Sequence, residues 1–173
     1  MNAFPLAEDY YDVLIAGSGG AGLSLALHLA DSYQVAVLAK FELTECSTYY
    51  AQGGISAVFD SKHDSIESHI EDTLIAGAGL CDPDIVRLTV SQGRQSIEWL
   101  REQGVHFTEE RSPSGKSRLH LNREGGHSHR RIVHTDDATG KAVSLSLIER
   151  AKAHDNITLL EYHNVVELIT AGK

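Results

Sequence analysis

Three glycines in the order Gly17-x-Gly19-x-x-Gly22 are the residues whose spacing most directly suggests chemistry. They follow a short apolar run, Val13 to Ala16, that reads as a buried strand, and precede a helical pattern with Leu23, Ala26, Leu27 and Ala30 on one face. A strand, a tight glycine turn and a helix together form a phosphate-binding device. Gly17 permits the turn out of the strand. Gly19 has no Cβ, so a diphosphate can approach the main chain, and Gly22 lets the helix lie close to the sheet. The amides of Ser18, Gly19, Gly20 and Ala21 would then stand at a helix N-terminus. Unpartnered N–H groups and the helix dipole favour an anion there. The same turn in a protein that binds nothing is the competing interpretation.

The densest polar cluster runs from Leu119 to His134 (Leu-His-Leu-Asn-Arg-Glu-Gly-Gly-His-Ser-His-Arg-Arg-Ile-Val-His). Three chemistries fit these residue types. Imidazoles at His127 and His129, with His134 or His120, could bind a transition metal. The spacing matches no strong zinc pattern, however, no cysteine is nearby, and Arg130 and Arg131 would repel a cation. Alternatively, Arg123, Arg130 and Arg131 could present forks to carboxylates, with Glu124 complementing an ammonium group on the same ligand. The third reading is a solvated basic loop that offsets an acidic chain.

These groups need elements to position them. The first strand is expected over Tyr11–Ala16, its helix over Gly20–Ser32 and a second strand over Gln34–Ala39. Together they make a parallel pair joined by a right-handed crossover. After strand two, where nicotinamide enzymes usually place an acid for the ribose hydroxyls, the chain has Lys40. Lysine cannot accept a hydrogen bond but can reach a ribose oxygen or a phosphate, so a flavin or a variant site stays open. Residues 41–57 read as a loop rich in small and hydroxyl side chains, suited either to wrapping a polar ligand or to lying on the surface.

Asp64-Ser-Ile-Glu67 resembles a capping box with Asp64 as the cap, opening a helix that ends at Gly77 or Gly79. Asp82-Pro83 starts a second helix that stops at Gly104. Its Ile85, Leu88, Ile97, Trp99 and Leu100 are expected in the core. Ser112-Pro-Ser-Gly115 is expected to turn a hairpin between Val105–Thr108 and Arg118–Leu121. A third long helix fits Ala138–Ala153, followed by strands at Thr158–Tyr162 and Val165–Thr170.

Composition narrows the classes. The 173 residues suffice for one domain with a real core. A net charge of −9, from 15 basic and 24 acidic residues, argues against a nucleic-acid surface. No apolar run approaches membrane-spanning length, and Met1–Asp9 shows no secretory pattern. Cys46 and Cys81 are too few and too isolated for a disulfide framework, so a reduced, cytoplasmic setting fits best.

Four segments together resemble the L-aspartate oxidase family. They are Val13–Gly22, Ser47–Gly54 (Ser-Thr-Tyr-Tyr-Ala-Gln-Gly-Gly), Ile75–Gly79 and Arg123–Arg131 (Arg-Glu-Gly-Gly-His-Ser-His-Arg-Arg). The resemblance runs from about Asp12 to the end. The Ala-Gln-Gly-Gly segment is shared with the flavoprotein subunits of fumarate reductase and succinate dehydrogenase, and the Arg123 block points to the aspartate oxidase branch. The resemblance implies an α/β, Rossmann-like FAD-binding domain with a parallel sheet, incomplete at its C-terminus. It implies a cofactor site of Gly17, Ser18, Gly19, Gly20, Ala21 and Gly22. Lys40 would stand near the adenosine, Ser47, Thr48, Tyr49, Tyr50, Ala51, Gln52, Gly53 and Gly54 beside the pyrophosphate and flavin ring, and Asn164 at the adenine. Glu124 would orient aspartate through its amino group. Relatives with covalent flavin carry a histidine where this chain has Ser47, so the FAD is expected to be non-covalent.

The implied activity is oxidation of L-aspartate to iminoaspartate in NAD biosynthesis, with oxygen or fumarate as acceptor. The family's other substrate residues, its capping domain and its C-terminal helical domain lie beyond Lys173. Residues 1–173 are therefore expected to be an N-terminal piece of the flavin domain, inactive alone. A fumarate reductase-like dehydrogenase and a non-catalytic, self-associating module are the alternatives.

Overall fold

The structure, a computed structural model, describes residues 9–112, 115–136 and 138–170. These fall into two compact units, residues 1–47 with 147–173 and residues 48–146.

The first unit is built on a three-stranded parallel sheet in the order β1-β2-β7, with strands β1 (Val13–Ala16), β2 (Val35–Leu38) and β7 (Ile157–Leu160). Val-Ala-Val-Leu in β2 is apolar throughout because a central parallel strand is covered on both faces, and Val35, Ala36 and Val37 are fully buried. The sequence reading made β1 a buried strand, yet Leu14 is 64% exposed. In this sheet β1 is an edge strand with alternating faces, so Ile15 is buried and Val13 half-buried on one face while Leu14 and Ala16 are exposed on the other. Helix α1 (Gly20–Leu29) lies against β1 and β2 through Leu23 and Ala26, with buried Ala30 just past its end.

The strand expected at Val165–Thr170 is absent: these residues pair with no strand, and Val166, Leu168 and Ile169 are exposed. The expected terminal residues Ala171, Gly172 and Lys173 lie outside the described residues, as do Met1–Glu8.

The second unit starts within a short helix α2 (Ser47–Tyr50) and contains β3 (Ile55–Ser56), paired antiparallel with β6 (Ile132–Val133). Residues 41–57, expected as a loop, thus carry a helical turn and a strand. Helices α3 (Ile66–Ala76) and α4 (Pro83–Glu102) pack on each other. The α4 start is as expected: the Asp82 side chain accepts from the amides of Asp84 and Ile85, with Pro83 in the first turn. The α3 start is shifted. Ser65, not Asp64, is the cap, accepting from Ser68 N at 3.1 Å. Both residue types cap well, but the Asp64 carboxylate is engaged by Arg131, so the role passes to its neighbour.

Of the α4 residues expected in the core, Ile97 is fully buried, Trp99 and Leu100 are half-buried, and Ile85 and Leu88 are exposed. The hairpin forms from β4 (Glu109–Arg111) and β5 (Ser117–Leu119), so its arms sit closer to the tip than expected. At that tip Pro113 and Ser114 lie outside the described residues. Helix α5 (Thr139–Lys152) crosses from the second unit into the first.

Candidate nucleotide-binding site

In the first unit, the carboxyl end of the parallel sheet collects the glycine turn, Lys40 and Asn164. Gly17 has φ +121°, a conformation side chains rarely allow, and its amide donates to Leu38 O at 2.8 Å. A Cβ on Gly22 would lie 2.0 Å from Gly17 O and 3.2 Å from Ile15 Cγ2. Helix and strand can therefore approach as they do only with hydrogen at that position. Gly19 is the helix cap with φ −72° and ψ 175°, a backbone any residue could adopt. Its own conformation therefore does not require the lack of a side chain. Among the described residues no side chain caps α1 and no acid occupies its first turn, an arrangement in which the positive end of the helix dipole favours an anion.

The walls are fixed by long-range hydrogen bonds. Ser18, buried, donates its hydroxyl to Leu43 O at 3.0 Å. The Leu43 amide donates to Glu161 at 2.8 Å, and the Tyr162 hydroxyl donates to Glu42. That hydroxyl is the main reason the Glu42 carboxyl titrates below its ordinary value. Tyr162 has φ +59°, and the next amide, His163 N, bonds Ala39 O at 2.9 Å. Exposed Asn164 follows this bond to the end of β2, and Lys40, also exposed, follows Ala39, its ammonium 5.8 Å from the Phe41 ring centroid. Ser47 also belongs to this unit.

Thr48, Tyr49, Tyr50, Ala51, Gln52, Gly53 and Gly54 belong to the second unit. Their backbone is clamped from two sides. Ala51 O accepts from Gly140 N at 3.1 Å, and a Cβ on Gly140 would stand 2.0 Å from Thr48 O. A Cβ on Gly54 would stand 2.3 Å from Val133 O. The exposed stretch between these clamps, Ala51 to Gly53, has little side-chain bulk apart from Gln52. Glu124 reaches the same place, its Oε2 3.9 Å from the position a Cβ on Gly53 would take.

Arg131 corrects the idea that three arginines offer forks to a ligand. It is fully buried, bidentate to Asp64 at 2.7 and 2.8 Å, with its third nitrogen 2.7 Å from Asp72. Asp72 also accepts from Ser128 N at 2.8 Å and Ser128 Oγ at 2.7 Å. Partial burial pushes the Asp72 carboxyl up, but Ser128 and the guanidinium outweigh it and hold it at about 2. His69, buried against His127 at 5.7 Å between ring centroids, is lowered by burial first, then by Arg131 and His127. His120 and His134 pair separately at 2.8 Å. Among the described residues no group of three or more His, Cys, Asp or Glu side chains could hold a metal ion. Arg123 and Arg130 remain exposed on the same block.

A parallel sheet with this turn at its carboxyl edge defines the class as a dinucleotide-binding α/β protein. Residues 12–173 match the FAD binding domain family, and the chain belongs to that family. It is 57% identical over 167 residues to the L-aspartate oxidase of Yersinia pestis, a match covering 96% of this chain and 31% of that protein. With the L-aspartate oxidase of Acinetobacter baylyi it shares 54% over 164 residues, covering 95% and 29%. The chain thus spans about three tenths of these relatives. Among solved structures, a quinol-fumarate reductase with menaquinol molecules superposes with a TM-score of 0.83 at 28% identity, covering 94% of this chain and 28% of that one. An E. coli quinol fumarate reductase superposes with a TM-score of 0.79 at 29% identity, covering 88% and 26%.

FAD is the dinucleotide this family takes, and the residues fit it. The glycine-rich turn, with its Ser18 hydroxyl bonded to Leu43 O, suits a diphosphate, and Lys40, where a nicotinamide site would carry an acid, suits its negative charge. Arg131, Asp64 and Asp72 were not recognised as a network from sequence. The signal was a charged residue immediately before the apolar pair Ile132-Val133, which needs a buried partner once that strand is inside.

Proposed function

We propose that this chain is the N-terminal part of the FAD-binding domain of an L-aspartate oxidase. The enzyme would oxidise L-aspartate to iminoaspartate, with oxygen or fumarate as acceptor, in NAD biosynthesis in the cytoplasm. The observation that carries this reading is Glu124 beside Gly53: an exposed carboxylate against the loop that the resemblance assigns to the flavin ring. Bound FAD supplies the two-electron acceptor. The turn from Gly17 to Gly22 would hold its diphosphate by main-chain donors, with Lys40 and Asn164 towards the adenosine. Ser47, which cannot form a histidyl link, leaves the flavin non-covalent. Glu124 would accept hydrogen bonds from the substrate ammonium and so orient its Cα. The capping and helical domains, and the rest of the substrate site, would be supplied by sequence outside this chain. The chain alone would therefore not turn over.

The test is made on the full-length enzyme and the purified 173-residue chain side by side. The full-length enzyme should release peroxide on aspartate and give up its flavin on acid precipitation, while the chain alone should give no peroxide. Flavin that stays with the acid pellet would favour the fumarate reductase-like alternative. A full-length protein that binds FAD yet leaves aspartate untouched would end the proposal. Among the described residues no helix is long and apolar enough to cross a membrane.

A further inference from the structure

The loop carrying Glu124 is held in a way that its own residues do not explain. Glu124 O accepts from His127 N at 3.2 Å around Gly125 and Gly126, and φ +80° at Gly126 makes this a type II turn. At the base, Asn122 bridges to Ile132, and Arg131 N donates to Asn122 O at 3.1 Å. A turn on a two-point base could pivot. A third point of attachment stops that: Asp72, on α3, takes both the amide and the hydroxyl of Ser128. Arg131 locks Asp72 in turn, with a guanidinium that Asp64 grips from its other edge. The three donors to Asp72 Oδ2 all come from the loop or its base, and Ser68, also on α3, adds longer contacts to the same segment, its Oγ 3.3 Å from Ser128 Oγ and 3.2 Å from His129 Nδ1.

We propose that Asp72 is a positioning residue for the substrate ammonium. Acting through Ser128 and Arg131, it fixes the loop at the orientation in which the Glu124 carboxylate faces Gly53. It touches no ligand. Its effect on the reaction is confined to the group Glu124 serves, the amine of the substrate, and leaves the carboxylates of the substrate to other residues. The inference rests on the reading of Glu124 given above.

The experiment uses the full-length enzyme with Asp72→Ala, Asp72→Asn, Ser128→Ala and Glu124→Gln, each checked for flavin content by its visible spectrum. Two quantities are measured: KM for L-aspartate, and the inhibition constant of succinate, a dicarboxylate with no amine. Asp72→Ala should raise KM on the order of tenfold with the succinate constant unchanged, since a small misplacement of an orienting group has effects of at least this size. Ser128→Ala, which keeps the amide donor, should raise it less, and Asp72→Asn, which keeps one oxygen acceptor, should recover part of the loss. If Asp72→Ala shifts aspartate and succinate equally, or lowers only kcat in step with flavin content, Asp72 is merely structural and the proposal fails. Should Asp72→Ala not fold, Ser128→Ala decides by the same ratio. Glu124→Gln separates the two readings. No change in its aspartate KM overturns the role of Glu124 itself. A raised KM there, with Asp72 and Ser128 variants normal, overturns only the positioning.

Discussion

Arg131 and Asp64 form a bidentate ion pair in which the two side chains are 0% and 2% exposed. The guanidinium edge and the carboxylate meet in a planar fork, and the remaining nitrogen is taken by Asp72. Such a pair adds little to stability when intact, because desolvation offsets the attraction. Breaking one side is a different matter, since it leaves a charge buried with no partner.

Arg131→Ala should therefore lower the unfolding free energy on the order of 3–5 kcal/mol. Arg131→Lys keeps the charge but not the fork, so it should also destabilise, by less. Urea unfolding of the purified chain measures both. A loss under 1 kcal/mol for the alanine variant would mean that Asp64 and Asp72 find water or other donors when the arginine is gone.

The second prediction concerns pH. His69 is buried, and its ring is held below its ordinary value of 6.5, by burial and then by the Arg131 and His127 charges. The unfolded chain then binds a proton on this residue more readily than the folded one. Stability from a neutral His69 is thus fully present above about pH 6.5 and declines as pH falls below it. His69→Phe removes the titration and should flatten that decline in urea midpoints between pH 7 and pH 5. An identical slope in the variant would assign the pH dependence to other groups.

How much of this was legible in the chain follows the distance between partners. The glycine turn is readable because strand, turn and helix are contiguous, and Gly17 and Gly22 have local reasons in φ and close approach. The α4 cap was readable because Asp82 meets amides two and three residues on. The Arg131 clamp was not, because its partners lie 59 and 67 positions away, and Asp64 read naturally as a helix cap. The exposure of Leu14 in β1 escapes the sequence for a similar reason. An apolar run shows that a strand can be covered, while its place in the sheet order decides whether it is. Residues 165–170 have strand-like composition, but no neighbouring edge in the structure receives them. The nearness of Glu124 to Gly53 bridges residues 71 apart: resemblance gives each residue a separate role, and only the fold brings them together.

Gly22→Ala tests the packing half of the glycine turn. The new methyl would stand 2.0 Å from a backbone oxygen, which cannot swing aside as a side chain would. The helix must move off the strand or the turn must open, at a cost of about 3 kcal/mol or at the upper end for overpacking. A lowered urea midpoint together with lost FAD binding is the expected pair of results. A variant as stable as the parent would show that the turn can relax, and would remove the steric reason given for this glycine.

Gly19→Val tests the other half, and here stability and binding should part. Gly19 has φ −72° and ψ 175°, within the range valine adopts freely, so the fold should tolerate the change with an unfolding midpoint close to that of the parent. Gly19 nonetheless caps the helix whose first turn we propose as the diphosphate site, and a branched side chain there would occupy the space a phosphate oxygen needs. In the full-length enzyme, FAD affinity read by quenching of flavin fluorescence should fall by at least a hundredfold, about 2.7 kcal/mol, while the circular dichroism spectrum stays unchanged. Retained affinity in a folded Gly19→Val protein would mean that the dinucleotide lies elsewhere. The turn from Gly17 to Gly22 would then be a packing device alone.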